Sequence, residues 1–97
     1  VPVIGMIHLP PLPGSFRWAG EMDDVRSWVL RDAEALVSGG VDALMIENYG
    51  DTPFFPDRVP AVTVAAMTAL ACEIRSRFEV PIGINTLRND GRSALSI

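Results

Sequence analysis

The stretch VDALMIE at residues 41–47 decides the fold. It is short and dominated by aliphatic side chains, which is typical of a strand buried in a parallel sheet. The preceding sequence has a helical period instead, because apolar positions within residues 24–38 recur at steps of three and four. Residues 60–78 are predicted as a second helix. Its inner stripe is predicted to be Met67, Leu70, Ile74 and Phe78.

Two further aliphatic runs lie outward from this centre, at residues 3–9 (VIGMIHL) and residues 80–85 (VPIGIN). Both are predicted to be strands, and a pair of prolines stops the first of them. A third helix is predicted from Gly91 onward, with Asn89 or Asp90 as its N-cap. Strands that begin near residues 3, 41 and 80, with a helix in each interval, indicate repeated β/α units and a parallel sheet.

Local capping signals mark the ends of the first two helices. Asp23 or Asp24 is predicted to accept hydrogen bonds from the first free amide groups of the first helix. Gly39 is predicted to close that helix in the left-handed conformation, which glycine adopts without strain. Pro60 suits the first turn of the second helix, where its missing N–H group costs nothing.

The number of units bounds the architecture. Three strands with two and a half helices cannot close a barrel or cover both faces of a parallel sheet. We therefore expect residues 1–97 to be a single incomplete domain of the α/β class, the N-terminal part of a (β/α)8 TIM barrel with about three β/α units and parallel strands. Eight such units would reach the roughly 250 to 300 residues usual for this barrel. A doubly wound sheet is the competing architecture.

Composition narrows the functional classes. The net charge is −4, and the 8 basic residues are all arginines that form no stripe, which argues against a nucleic-acid partner. The absence of lysine excludes a Walker A or Schiff-base lysine within these residues. Cys72 is alone and cannot form an internal disulfide, so a cytoplasmic protein is expected. The apolar run at residues 60–72 is too short to span a bilayer, although peripheral membrane association is compatible with the sequence.

Polar side chains stand where the predicted strands end. In either architecture, ligand-binding groups collect at these carboxyl ends. The first strand ends at His8, the second at Glu47 and the third at Asn85. Because side chains alternate along a strand, these three are predicted to share one face. The opposite, helix-facing side is predicted to carry Ile7, Leu44, Ile46, Ile82 and Ile84.

His8 and Glu47 are the candidate catalytic residues. A histidine titrates near neutral pH and suits an acid–base partner. A carboxylate at the mouth of an apolar strand is costly unless it is paired, so Glu47 could be a general base or a metal ligand. The alternative for His8 is a purely structural hydrogen-bonding role. The alternative for Glu47 is an ion pair with Arg88. No His-x-His pair stands at this strand end, which argues against a histidine-rich metallohydrolase. No set of metal ligands is assigned, and the residues identify no cofactor.

Substrate-binding candidates follow the second and third strands. They are Asn48, Asp51, Asn85, Arg88, Asn89 and Asp90. Amides suit the fixing of a polar substrate, whereas arginines at the start of the third helix, Arg88 and Arg92, favour a phosphate or carboxylate. Capping and turn formation are the alternative for the asparagines, above all for Asn89.

The loop at residues 50–59 is long for a β/α connection and carries adjacent aromatic residues, Phe54 and Phe55. Long ordered loops in compact domains tend to be functional. We expect this loop to cover the site or to contact a protein partner or a second copy of the chain. Packing on the rim of the barrel is the alternative.

Three segments together resemble the BtpA family, which includes the SgcQ-like proteins. They are residues 3–15 (VIGMIHLPPLPGS), 41–55 (VDALMIENYGDTPFF) and 81–95 (PIGINTLRNDGRSAL). The combination of MIHLPPLPGS, ENYGD and LRND in this order is specific, whereas each motif alone is weak. The resemblance covers essentially the whole chain and about the first third of the family's length. It implies a TIM barrel, in agreement with the β/α period.

The resemblance implies two kinds of function. The family takes its name from a cyanobacterial protein needed for photosystem I biogenesis, and SgcQ-like members are associated with sugar uptake. The first hypothesis is therefore a TIM-barrel protein that binds or transforms a small polar or phosphorylated metabolite. The second is a non-enzymatic assembly or stability factor for a membrane protein complex such as photosystem I. A nonfunctional remnant of a longer gene is a third.

Overall fold

The computed structural model describes residues 1–97 as one parallel three-stranded sheet with a helix after each strand. The elements in chain order are β1 Ile4–His8, α1 Met22–Ser38, β2 Ala43–Glu47, α2 Ala61–Arg77, β3 Ile82–Asn85 and α3 Gly91–Ser96. The strands lie in the order β1-β2-β3, so each one pairs with the next along the chain. The predicted α/β class, with three parallel β/α units, is confirmed.

One side of the sheet forms the hydrophobic core with the helices. Ile7 and Ile46 are completely buried and Leu44 is 1% exposed, while the other predicted helix-facing residues, Ile82 and Ile84, are partly buried against the same cluster. Helix α2 contributes most of its predicted stripe to this core. Met67, Leu70 and Ile74 are buried, and Phe78 is partly buried as the residue that ends the helix.

The other side of the sheet is built in layers by the strand register. Met6 pairs with Met45, which pairs with Gly83. The side chain of Met45 occupies the space above Gly83, since a Cβ at Gly83 would lie 2.8 Å from the Met45 Cε. Ile4 and Met6 on this face are 55% and 41% exposed. The layer above, at the carboxyl ends, is the polar one.

The capping predictions for α1 are wrong by two or three positions at its start and by one position at its end. The helix begins at Met22, so the N-cap is Glu21, whose carboxylate accepts a hydrogen bond from the Asp23 amide at 3.3 Å. At the other end, Gly39 keeps right-handed helical geometry because its amide still donates to the Ala35 carbonyl. The left-handed residue is Gly40, with φ of 94°.

The start of α2 also differs by one position. Pro60 is not in the first helical turn but is the N-cap, in an extended conformation with φ of −61° and ψ of 151°. Proline fits there because its fixed φ suits the extended geometry and no amide proton is required. No side chain caps this helix.

Candidate functional site

Three polar side chains meet at the carboxyl ends of the strands. The register pairs His8 with Glu47 and Glu47 with Asn85, and we call these residues the strand-end row. The Nε2 atom of His8 lies 3.6 Å from Glu47 Oε1. The Asn85 amide donates to Glu47 Oε2 at 2.5 Å. The predicted sharing of one face is confirmed.

The row places a carboxylate between an imidazole and an amide. The Glu47 side chain is only 12% exposed, whereas the His8 side chain is 48% exposed. Each carboxylate oxygen faces one neighbour, so the orientation of Glu47 is fixed from both sides. His8 remains open to solvent or to a ligand. This arrangement can accept hydrogen bonds from hydroxyl groups and can move a proton through His8.

Tyr49 completes the immediate surroundings of the row. Its ring stacks on the His8 ring with centroids 4.5 Å apart and an angle of 19° between the planes. Sequence reasoning missed this residue, because Tyr49 follows the strand end and its direction depends on how the loop folds back. Its position inside the ENYGD segment was the available signal. Tyr49 is 55% exposed, so its outer face is free.

Asn48 and Asp51 are buried and tie neighbouring loops together. The Asn48 amide donates to the Leu87 carbonyl at 2.9 Å and accepts a hydrogen bond from the Leu87 amide. Asp51 accepts a hydrogen bond from the Leu12 amide at 2.7 Å. Burial raises the pKa of Asp51, and hydrogen bonds from Leu12 and from Asn48 oppose that rise. The structure thus buries these two of the predicted substrate-binding residues and engages their polar groups with the protein itself.

Asp90 holds the end of the long loop against α3. Its carboxylate accepts hydrogen bonds from the Val59 amide at 2.8 Å and from the Ser93 amide at 3.0 Å. The Ser93 hydroxyl donates a third, and these bonds together lower the pKa of Asp90. Asp90 is therefore the predicted N-cap of α3. Asn89, beside it, is exposed and adopts a left-handed turn conformation with φ of 65°.

The arginines stand apart from the row. Arg88 and Arg92 are exposed, and Glu47 forms no ion pair with Arg88. The main chain of Arg88 instead joins the long loop, because its carbonyl accepts a hydrogen bond from the Asp57 amide at 2.8 Å. Their proposed role toward an anionic ligand stays a prediction.

The loop at residues 50–59 packs on the preceding β/α loop. The ring of Phe55 stacks on that of Phe16 at a centroid distance of 5.6 Å, and Arg17 donates to the Thr52 hydroxyl at 2.8 Å. Phe16 is 76% exposed, and Phe54 and Phe55 are half-buried. The observed contacts are those of packing at the rim, while a partner for this loop stays a prediction.

A cleft of about 530 Å³ opens beside the row, between the end of β3 and the start of α3. Its lining includes three of the predicted residues, Asn85, Asn89 and Asp90. Thr86 also lines it, and the Thr86 hydroxyl is buried without a hydrogen-bond partner. A buried hydroxyl without a partner costs stability unless something satisfies it. Asn85 belongs to both the row and the cleft, and so connects them.

No group of three or more histidine, cysteine, aspartate or glutamate side chains is arranged to hold a metal ion. None of the helices combines the length and the hydropathy that a membrane crossing requires.

Comparison with known proteins gives a family match over the whole chain. The BtpA family matches residues 1–97. An uncharacterized protein of Thermococcus kodakarensis is 49% identical over 96 residues, which is 99% of this chain and 36% of the relative. The photosystem I biogenesis protein BtpA of Synechocystis is 46% identical over 96 residues, 99% of this chain and 33% of the relative.

A more distant relative carries a different name. The putative sgc region protein SgcQ of Escherichia coli is 35% identical over 89 residues, 88% of this chain and 32% of the relative. The chain therefore spans about a third of the length of these curated relatives. No solved structure matches the chain.

Proposed function

The chain belongs to the BtpA family, and from this premise we propose that its strand-end row binds, and helps to transform, a small polar or phosphorylated metabolite. The observation that carries the proposal is the fixed position of Glu47 between His8 and Asn85. A carboxylate held from both sides beside a solvent-exposed imidazole is suited to acid–base chemistry. The Glu47 side chain is only 12% exposed, and a carboxylate is rarely buried unless it is paired.

The residues of the row have distinct proposed roles. Glu47 is the base, His8 is its acid–base partner, and Asn85 orients the ligand toward the adjoining cleft. The exposed guanidinium groups of Arg88 and Arg92 supply positive charge for a phosphorylated part of the ligand. Asn48, Asp51 and Asp90 act through the loops that they hold together, and Asn89 shapes the turn at the cleft.

The larger architecture is part of the proposal. We propose that the three β/α units are the N-terminal part of a cytoplasmic (β/α)8 barrel, in which the layered face of the sheet lines the interior. The greater length of the relatives supports this, since a complete barrel needs roughly 250 residues. The row would then stand at the carboxyl-terminal mouth, where such barrels bind their ligands.

Two substitutions in the full-length protein test this function. Alanine at His8 and alanine at Glu47 should each weaken ligand binding and turnover, because each removes one member of the row. Alanine at Glu34 is the control, since that exposed carboxylate lies on α1, away from the strand ends. Unchanged binding and turnover in both row variants would exclude the proposed site.

A second function is favoured by one relative and one surface. The Synechocystis relative is named a photosystem I biogenesis protein, and here the exposed ring of Phe16 stacks on the half-buried ring of Phe55 at the loop rim. An assembly factor for a membrane protein complex would use this pair as a contact with its partner. Alanine at both positions in the full-length protein should then reduce accumulation of the complex, while alanine at His8 leaves it intact. Reduced accumulation in the His8 variant, with normal accumulation in the double phenylalanine variant, would instead support the metabolite site.

A further inference from the structure

The segment that carries Tyr49 is fixed to its surroundings at several points. We propose that Asp51 is a positioning residue of the candidate site. It holds residues 48–51 in the conformation in which Tyr49 stacks on His8. The importance of that stack for a ligand rests on the proposed function. The stack itself can be measured without any ligand.

The first fixed point is Asn48, at the start of the segment. Its side chain is completely buried and exchanges two hydrogen bonds with the main chain of Leu87, in the loop after β3. The side-chain amide of asparagine can donate and accept at the same time, so it can pair with both the carbonyl and the amide of one residue, as a backbone peptide group does between strands. These two bonds attach the start of the segment to the loop after β3.

The second fixed point is Gly50. Its amide donates to the Leu9 carbonyl at 2.9 Å, in the loop after β1. A Cβ at this position would lie 2.6 Å from the Leu9 oxygen and 2.7 Å from the Pro10 carbonyl carbon. Only glycine allows two backbones to approach so closely. The middle of the segment therefore lies directly against the first loop.

The third fixed point is Asp51, which closes the segment. One carboxylate oxygen accepts the Leu12 amide at 2.7 Å, and the Asp51 amide donates to the Asn48 carbonyl at 3.2 Å. The other carboxylate oxygen lies 3.4 Å from the Asn48 side-chain nitrogen. Asp51 thus joins the turn at residues 48–51 to the loop after β1. Asn48 joins the same turn to the loop after β3.

These contacts determine where Tyr49 goes. Of the three side chains in the segment, two are turned inward and bonded, and the tyrosine ring is the one that projects outward. No hydrogen bond holds its hydroxyl, so its position depends on the turn and on stacking with His8. A single pair of stacked rings contributes only a small stabilisation beyond the area that it buries. That is too little to order a loose loop, so a rigid turn is required.

Nuclear magnetic resonance of the full-length protein tests the inference. The imidazole C–H signals of His8 are assigned by their disappearance in His8→Gln, and Tyr49→Ala defines the shift that follows loss of the stacked ring. Asp51→Ala should move the His8 signals in the same direction and most of the same distance. Asp51→Asn keeps an oxygen for the Leu12 amide and should leave them near the wild-type position.

Asp90→Ala is the matched control, because it also removes a buried carboxylate that joins two loops. It should lower the melting temperature without moving the His8 signals. If Asp51→Ala does not fold, Asp51→Ser replaces it, because the shorter hydroxyl cannot reach the Leu12 amide, and the same shift is expected. His8 signals at the wild-type position in a folded Asp51→Ala or Asp51→Ser variant would overturn the proposal.

The two proposals fail in different ways. If Asp51→Ala moves the His8 signals but His8→Ala and Glu47→Ala do not affect a ligand, then the positioning claim holds and the metabolite site does not. If the row variants abolish binding but Asp51→Ala leaves the His8 signals in place, then the metabolite site holds and the positioning claim does not.

Discussion

Ile46 and Glu47 are neighbours on β2, yet they face opposite sides of the sheet. Ile46 is completely buried in the cluster formed with the helices. Glu47 points to the other side, where His8 and Asn85 hold its carboxylate. Because side chains alternate along a strand, adjacent residues can serve stability and chemistry separately. The comparison indicates that substitutions on the two faces should have different consequences.

The helix-facing side should give the largest loss of stability. Ile46→Ala removes a fully buried side chain and leaves a cavity, so the free energy of unfolding should fall by about 2–5 kcal/mol. Glu47→Gln is the matched variant on the other face and should change it by less than about 1 kcal/mol, because it keeps the size and an acceptor oxygen. Denaturant unfolding of the full-length protein measures both. Equal losses would contradict the separation of the two faces.

The loop junction at Asp90 should give the next largest effect. Asp90→Ala leaves the Val59 amide without its partner and removes the cap of α3, at a cost of about 1–3 kcal/mol. The lowered pKa of Asp90 means that its contribution is present above the ordinary value, about 3.9, and is lost as pH falls through the folded-state pKa.

The measurement is thermal unfolding of wild type and Asp90→Ala between neutral and acid pH. The two melting temperatures should converge as pH falls below the folded-state pKa. Asp90→Asn should recover part of the difference at neutral pH, because its amide oxygen still accepts. A constant difference at every pH would show that the charge of Asp90 is not involved.

Asp51 should show the opposite pH dependence and a smaller effect. Its pKa is raised by burial, so its contribution to stability is greatest below the unfolded-state pKa and is lost as pH rises through the folded-state value. Asp51→Asn should therefore be as stable as wild type at neutral pH, or more stable by less than about 1 kcal/mol. Urea unfolding at neutral and acid pH measures this. A variant clearly less stable than wild type at neutral pH would mean that the ionised carboxylate is stabilising.

Much of the fold could be predicted because its signals are local. The aliphatic run at residues 41–47 and the helical periods around it predicted the β/α order, and the alternation of side chains predicted that His8, Glu47 and Asn85 share a face. A parallel register then brings neighbouring strand ends together without further information. The helix caps were less predictable, since several acids and two glycines stand close together at the ends of α1.

The loop contacts could not be predicted for a different reason. The stacking of Tyr49 on His8 and the bond from the Leu12 amide to Asp51 join loops that are about 40 residues apart in sequence. Nothing in the local sequence determines how two such loops approach each other. The sequence shows a glycine at position 50, but not why glycine is required there. The requirement comes from the Leu9 carbonyl, which leaves no room for a Cβ.

The most direct test of the metabolite site is a thermal-shift screen of the full-length protein with phosphorylated sugars, neutral sugars and nucleotides, run beside Glu47→Gln. A ligand that binds only the folded state raises the melting temperature, by an amount equivalent to about 2.7 kcal/mol at a concentration of 100 times Kd. We expect a shift in wild type that is lost in Glu47→Gln, although the variant without ligand melts near wild type. An equal shift in both proteins would show that the ligand does not depend on the Glu47 carboxylate and would contradict the role assigned to it in the strand-end row.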